Sequence, residues 1–153
     1  MRRNLLPSSF WVWLMLASMT LAATSSPAGS QEMKLEVVLV WGTDDAKSPN
    51  PKHKPVDDDL KEQIKKLPLK WRNYFEESRK NVQVGSTIQK VSLSAKCKVE
   101  IKNLGKNMVE VSLIGEGEPV VTRKQALPKG ETFFLGGNAP NSTAWLVVIK
   151  RVE

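Results

Sequence analysis

Residues 97–114 read CKVEIKNLGKNMVEVSLI, and this stretch decides the fold. Apolar side chains alternate with polar ones on both sides of its centre, which is the period of a strand with one buried face. The centre carries Gly105 and Asn107, two residue types that accept a positive φ. The stretch therefore predicts a β-hairpin with its turn at 104–107.

Short apolar runs of the same kind continue on both sides of this hairpin, separated by turn residues. The strand candidates are 34–41, 82–84, 88–93, 97–102, 108–114, 120–122, 132–135 and 144–152. Glycine, proline and asparagine lie between them, and helices that a parallel sheet would need are missing after position 81. We therefore expect an antiparallel β-sandwich or barrel-like sheet of about seven short strands.

In the region after the first strand, apolar residues recur at a different spacing. Three aspartates at 57–59 suit the start of a helix, whose first N–H groups lack partners. Apolar residues then recur at helical spacing, first Leu60, Ile64 and Leu67, and beyond Pro68 Trp71, Tyr74 and Phe75. The pattern predicts a helical insertion over 57–80, broken at the proline. The fold class is therefore α+β and mainly β.

The 15 residues 42–56 connect the first strand to this insertion. They read GTDDAKSPNPKHKPV and contain three prolines. This composition disfavours both an α-helix and the hydrogen-bonded pairing of a β-strand. We expect an extended surface loop. Loops of this length in compact domains are usually either functional or mobile, and the sequence leaves both open.

The N-terminus has the organisation of a secretory signal. Arg2 and Arg3 precede the apolar run 10–16, and small residues follow, so residues 1–23 are predicted to be a cleaved signal peptide. General secretion and a twin-arginine route are both open, and cleavage can follow Ala22 or Ala23 or use a second site at Ser26-Pro27-Ala28. Residues 24–33 are expected to be a flexible tail and 34–153 a single β-rich domain. This predicts an exported bacterial protein, periplasmic or extracellular, with no transmembrane segment after cleavage.

The charge does not favour nucleic acid as a partner. The formal charge is +7, but without Arg2 and Arg3 the chain has 21 basic and 16 acidic residues. Nucleic-acid-binding proteins concentrate their basic residues on one face, whereas here lysine and arginine alternate with acidic residues along most of the chain. Solvated surfaces explain this pattern, and we expect no nucleic-acid partner.

Few residues in the chain offer catalytic or metal chemistry. Cys97 is the only cysteine, so no internal disulfide can form, and its place in a strand predicts a buried, inert thiol. His53 is the only histidine, and a serine hydrolase would have to use it as the base. One cysteine and one histidine cannot build a common zinc site. Aspartates 44, 45 and 57–59 do not follow the residue order of an EF-hand calcium-binding loop. We therefore expect neither a metal nor a cofactor.

The remaining candidates are binding residues. Large aromatic side chains either pack in the core or anchor an interface, and lysines nearby add charge. The predicted binding residues are His53, Trp71, Tyr74, Lys65 and Lys66. We expect a non-catalytic binding module for a protein or envelope component. A hydrolase without a recognisable motif, and a weak polyanion or carbohydrate binder, are the alternatives. The oligomeric state is not predicted.

Overall fold

The computed structural model describes residues 31–138 and 143–153. The predicted signal peptide and residues 24–30 of the predicted tail lie outside this part of the chain. The described residues form nine strands and one helix: β1 Met33–Thr43, β2 Lys54–Pro55, α1 Asp58–Lys65, β3 Asn73–Val84, β4 Gln89–Ser92, β5 Cys97–Gly105, β6 Met108–Gly115, β7 Glu118–Ala126, β8 Thr132–Asn138 and β9 Ala144–Arg151. This single described helix is too short to cross a membrane.

The strands form two antiparallel sheets. One has five strands in the order β2-β3-β1-β9-β8, and the other has four in the order β4-β5-β6-β7. The expected mainly β, antiparallel sandwich is confirmed. The chain forms two facing sheets rather than one closed barrel.

A hydrophobic core fills the space between the two sheets. In β1, alternate residues from Met33 to Leu39 are at most 3% exposed and point into it, because successive side chains of a strand face opposite ways. The other strands supply Val84, Val91, Val99, Ile101, Val109, Val111, Leu113, Leu135, Val147 and Ile149.

A second hydrophobic core lies on the outer face of the five-stranded sheet. Val38 and Val40 of β1 point to this face together with Leu146 and Val148 of β9. Helix α1 covers them, which explains why the second half of β1 is apolar on both faces. The central strands β1 and β9 thus contribute to both cores.

The predicted hairpin at 97–114 is confirmed as β5 and β6, which pair antiparallel. Three consecutive turn residues have positive φ angles: Gly105 at 81°, Lys106 at 51° and Asn107 at 61°. Glycine and asparagine adopt this backbone region more readily than other residues, so two of these three positions carry a suitable residue.

The second half of the predicted helical insertion is wrong. Within residues 57–80 the structure has a helix only at Asp58–Lys65, and the residues from Asn73 onward belong to the twelve-residue strand β3. This strand pairs with β1 over its whole length, from Thr43–Asn73 to Met33–Val84. The hydrogen bonds of that ladder outweigh the weak helical spacing of Trp71, Tyr74 and Phe75, since propensity yields to tertiary pairing.

The loop 42–56 is shorter than predicted. Gly42 and Thr43 belong to β1, Lys54 and Pro55 form β2, and Val56 is buried in the second core. Residues 44–53 remain without helix or strand. The loop therefore begins and ends on the five-stranded sheet, beside α1.

Candidate functional site

Helix α1 is held at its start by Asp57. The Asp57 side chain accepts a hydrogen bond from the Leu60 N–H at 2.8 Å, as an N-cap does, while its other oxygen lies 2.6 Å from Arg79 Nη2. The Leu60 hydrogen bond and the Arg79 guanidinium hold the pKa of Asp57 below its ordinary value. One carboxylate thus joins the helix to strand β3.

Arg79 connects three carboxylates on the outer face of the sheet. Its Nη1 lies 2.8 Å from Glu36, and its Nη2 lies 2.7 Å from Glu76 and 2.6 Å from Asp57. The hydrogen bonds to Glu76, and then to Glu36 and Asp57, raise the pKa of the guanidinium above its ordinary value. The planar guanidinium has five donors in a fixed fork, which suits contact with several carboxylates.

A cleft of about 370 Å³ opens beside α1 on this outer face. We call it the α1 cleft. It is lined by Ala46, Pro55, Val56, Lys61, Ile64, Lys65, Leu69, Trp71, Arg72, Asn73, Tyr74 and Phe75. Three parts of the chain form it: the helix, the segment from Leu69 to the start of β3, and the strand β2 with the loop before it. Its volume is at the lower end of the range for small ligand sites.

The charged side chains of the α1 cleft are all basic. Lys65 pairs with Glu62 at 2.6 Å, and Arg72 lies 3.8 Å from Asp44, both acidic residues being outside the lining. Lys61 forms no ion pair with any residue in the described parts of the chain. The cleft therefore has a positive charge that its own lining does not neutralise.

Two aromatic residues give the cleft its shape. Trp71 is 8% exposed, and the Lys70 ammonium lies 5.5 Å from its ring centroid, a distance typical of a cation–π contact. Tyr74 is half-buried, and burial followed by the Asp44 charge raises the pKa of its hydroxyl. The Tyr74 ring lies over Gly42, where an added Cβ would be only 3.0 Å from the ring. Glycine at 42 therefore makes room for the tyrosine.

The structure brings three of the five predicted binding residues together. Trp71, Tyr74 and Lys65 line the α1 cleft, whereas His53 and Lys66 do not. Lys66 is exposed at the C-terminal cap of α1, and His53 lies in the loop 44–53. Both are near the cleft in the chain but outside its lining.

His53 is held in its loop by two local side-chain contacts. Its Nδ1 lies 2.6 Å from Ser48 Oγ, and its Nε2 lies 3.3 Å from Asn50 Nδ2. The Asn50 Oδ1 accepts a hydrogen bond from the Lys52 N–H at 3.0 Å, which turns the Asn50 NH₂ group toward the ring. An NH₂ group donates, so these contacts fit a neutral imidazole whose Nε2 accepts and whose Nδ1 carries the proton.

This tautomer does not activate Ser48. The Nδ1–H donates to Ser48 Oγ, and the Asn50 N–H also points to that oxygen at 3.3 Å. A general base must instead accept the hydroxyl proton of the nucleophile. The Ser48, Asn50 and His53 contacts thus stabilise the turn of the loop, and in this tautomer His53 is not placed to deprotonate Ser48.

The single cysteine is also unsuited to catalysis. Cys97 is half-buried rather than fully buried as predicted, and burial followed by the Glu77 charge raises the pKa of its thiol to about 11. A thiol with a raised pKa is a poor nucleophile at neutral pH. Within the described residues, no group of three or more histidine, cysteine, aspartate or glutamate side chains could hold a metal ion.

Two features of this region were missed by the sequence analysis. The cluster of Arg79 with Glu36, Glu76 and Asp57 depends on the register of β3 against β1, and 69–79 was assigned to a helix. Ile64 was recognised only as an apolar helix residue, although it also lines the cleft. No local signal in the sequence distinguishes a lining residue from a core residue.

The chain matches no protein-family model, no curated protein and no solved structure. The function is therefore inferred from the cleft and the residues around it. These residues offer a shaped, positively charged recess and no activated nucleophile.

Proposed function

We propose that this chain is an exported, non-catalytic binding module of a bacterial envelope, and that it contacts a protein or envelope component through the α1 cleft. The observation that carries the proposal is the cleft itself. Basic side chains of α1 and basic and aromatic side chains of the segment after Leu69 converge on one recess beside a surface loop. Binding residues are often on loops that a rigid scaffold positions, as the loop 44–53 is here.

The scaffold around the cleft is suited to binding rather than to turnover. The helix is fixed by the second core and by Asp57, and the lining residues from Asn73 to Phe75 are fixed by the pairing of β3 with β1. A binding surface benefits from such pre-organisation, because fewer side chains lose freedom when the partner arrives. His53 and Ser48 contribute to the turn of the loop instead of to a nucleophile.

Export is part of the proposal and is supported by the pattern of residues 1–23. Fractionation of the cells that make the protein tests it. We expect a product that begins after Ala22 or Ala23, recovered from the periplasm or the medium. An uncut chain in the cytosol would contradict the export part of the proposal.

The binding part is tested with a photoreactive amino acid introduced at single positions of the full chain in its native cells. We expect a specific cross-linked partner when the probe replaces Lys61 in the α1 cleft. The matched control replaces Lys102, which lies on β5 in the other sheet. Equal cross-linking at both positions, or none at position 61, would rule out the cleft as the binding surface.

A further inference from the structure

The charge of the α1 cleft identifies the kind of group it receives. Lys61, Lys65 and Arg72 line it, and none of the lining residues is acidic. Two of these cations already have acidic neighbours at the rim, Glu62 for Lys65 and Asp44 for Arg72. Lys61 forms no ion pair among the described residues, although the charge of the adjacent Glu62 interacts with it. The lining therefore offers one ammonium that no carboxylate contacts directly, and a ligand carboxylate can pair with it.

Tyr74 adds a neutral hydroxyl to the same recess. The Tyr74 phenol is protonated at neutral pH, as an ordinary tyrosine is, and can donate a hydrogen bond, while burial and the Asp44 charge raise its pKa further. A ligand carboxylate accepts hydrogen bonds from both an ammonium and a hydroxyl. The attraction between the lysine and a carboxylate depends little on orientation, whereas a hydrogen bond from the hydroxyl is directional. The Tyr74 hydroxyl therefore makes binding of the carboxylate more specific.

The aromatic wall of the cleft favours a peptide over a sugar. A sugar ring needs an open aromatic face on which to stack, whereas Trp71 is only 8% exposed and the other two rings of the lining, Tyr74 and Phe75, are partly buried. A second recess of about 340 Å³ shares Leu69 and Trp71 with the α1 cleft, and its other lining residues include Leu67, Phe134 and Leu146. A charged recess and an apolar recess therefore meet at Leu69 and Trp71.

We propose that the α1 cleft binds an acidic peptide segment of a partner protein, whose carboxylate meets Lys61 and Tyr74 and whose neighbouring apolar side chain packs beside Leu69 and Trp71. This inference rests on the proposed binding function and names the chemical class of its ligand. Acidic residues next to apolar ones satisfy both recesses together. Opposite charges in the cleft and the ligand also steer their encounter.

The test measures the fluorescence anisotropy of a fluorescein-labelled peptide, Gly-Asp-Leu-Asp-Leu-Gly, with the full chain. A peptide with asparagine in place of both aspartates is the neutral control. We expect the acidic peptide to bind at least ten-fold more tightly than the neutral one. The affinity should fall as salt is raised, because the attraction is between charges near the surface.

Variants then locate the peptide. Lys61→Glu should weaken binding of the acidic peptide at least ten-fold. Lys90→Glu is the matched control, since Lys90 is an exposed lysine 3.1 Å from Glu100 on the four-stranded sheet, and it should stay within two-fold of the wild type. Circular dichroism and the unfolding midpoint of each variant show that the fold is intact.

Three results would overturn the ligand class: equal binding of both peptides, equal losses in Lys61→Glu and Lys90→Glu, or competition by heparin at lower concentration than unlabelled peptide. The last result would indicate a polysaccharide instead. If cross-linking at position 61 succeeds but the acidic peptide does not bind, the binding function stands and only the peptide assignment fails. If both fail, the cleft is not the binding surface.

Discussion

Single residues on the outer face of the five-stranded sheet join the elements around the cleft, and Arg79 is one of them. Its guanidinium contacts Glu36, Glu76 and Asp57, of which Glu36 and Glu76 are about one-fifth exposed. Three carboxylates so close together repel one another unless a cation lies between them. Arg79 therefore links β1, β3 and the start of α1.

Replacing Arg79 with methionine should lower the free energy of unfolding by about 2 kcal/mol, since the carboxylates lose their common cation while part of their charge stays solvated. Arg79→Lys should recover only part of this loss, because one ammonium cannot reach three carboxylates in the same geometry. Urea unfolding of the purified proteins measures both. Lys90→Met, at an exposed pair, is the control and should change stability by less than about 0.5 kcal/mol. An Arg79→Met protein as stable as that control would contradict the structural role.

Asp57 predicts a dependence of stability on pH. Its pKa is lower in the folded chain than the value near 3.9 expected of an unfolded aspartate, so the folded state favours the charged carboxylate. This stabilisation is complete above about pH 5, and it is lost as the pH falls through the folded pKa. Asp57→Asn keeps a capping side chain but not the charge. The difference in unfolding free energy between wild type and Asp57→Asn should therefore shrink as the pH is lowered from about 6 to below 4. A difference that is constant over this range would show that the charge has no effect.

At the scale of elements, α1 is stable because of what it covers. The helix has only eight residues, which is too few for independent stability in water. Leu60 and Ile64 face the second core, where Ile64 is 1% exposed. Burial of these side chains on β1 and β9 supplies the stabilisation that helix propensity alone does not provide.

Ile64→Ala should therefore lower the free energy of unfolding by about 2–4 kcal/mol, the usual range when a large buried side chain is truncated. Thermal and urea unfolding measure the loss. Lys66→Ala, just beyond the same helix and exposed, should stay within about 0.5 kcal/mol of the wild type. If both variants were equally stable, α1 would not be packed as described.

At the scale of the whole molecule, the two cores share their central strands. Side chains of β1 and β9 alternate between the core inside the sandwich and the core under α1. Loss of either core removes packing from β1 and β9, on which the other core depends. The described strands should therefore lose their structure together. Cys97, at the start of β5, offers a chemical probe of this transition.

Cys97 should react with a thiol reagent only when the chain unfolds. With a pKa raised to about 11, the thiol is almost fully protonated at pH 8, and the thiolate is the reactive form. We expect labelling of the native protein to be at least about 100-fold slower than in denaturing guanidinium, as judged from the ionised fractions. Absorbance of a chromogenic disulfide reagent measures both rates. Similar rates in the two conditions would show that the thiol is accessible and ionised in the folded chain.

The predictions from sequence were most accurate where a local pattern matched the tertiary environment. The hairpin at 97–114 and the first strand have one buried and one more polar face over much of their length. The alternation of apolar and polar residues therefore predicted these strands. The strand β7 was predicted only at 120–122 but extends over Glu118–Ala126, because nearly all its side chains are exposed and show no alternation. The start of α1 was predicted because the capping aspartate acts on its own next turn.

The sequence by itself determined the antiparallel β fold, the start of the helix and three of the residues that line the cleft, since these follow from the period and chemistry of neighbouring side chains. Only the tertiary structure decided that residues 73–80 are a strand, that Arg79 meets three carboxylates and that His53 lies outside the cleft. These features depend on the register between strands distant in sequence. Pairing with β1 stabilises β3 more than the weak local preference of its own residues does, so the conformation of this segment could not be predicted from those residues alone.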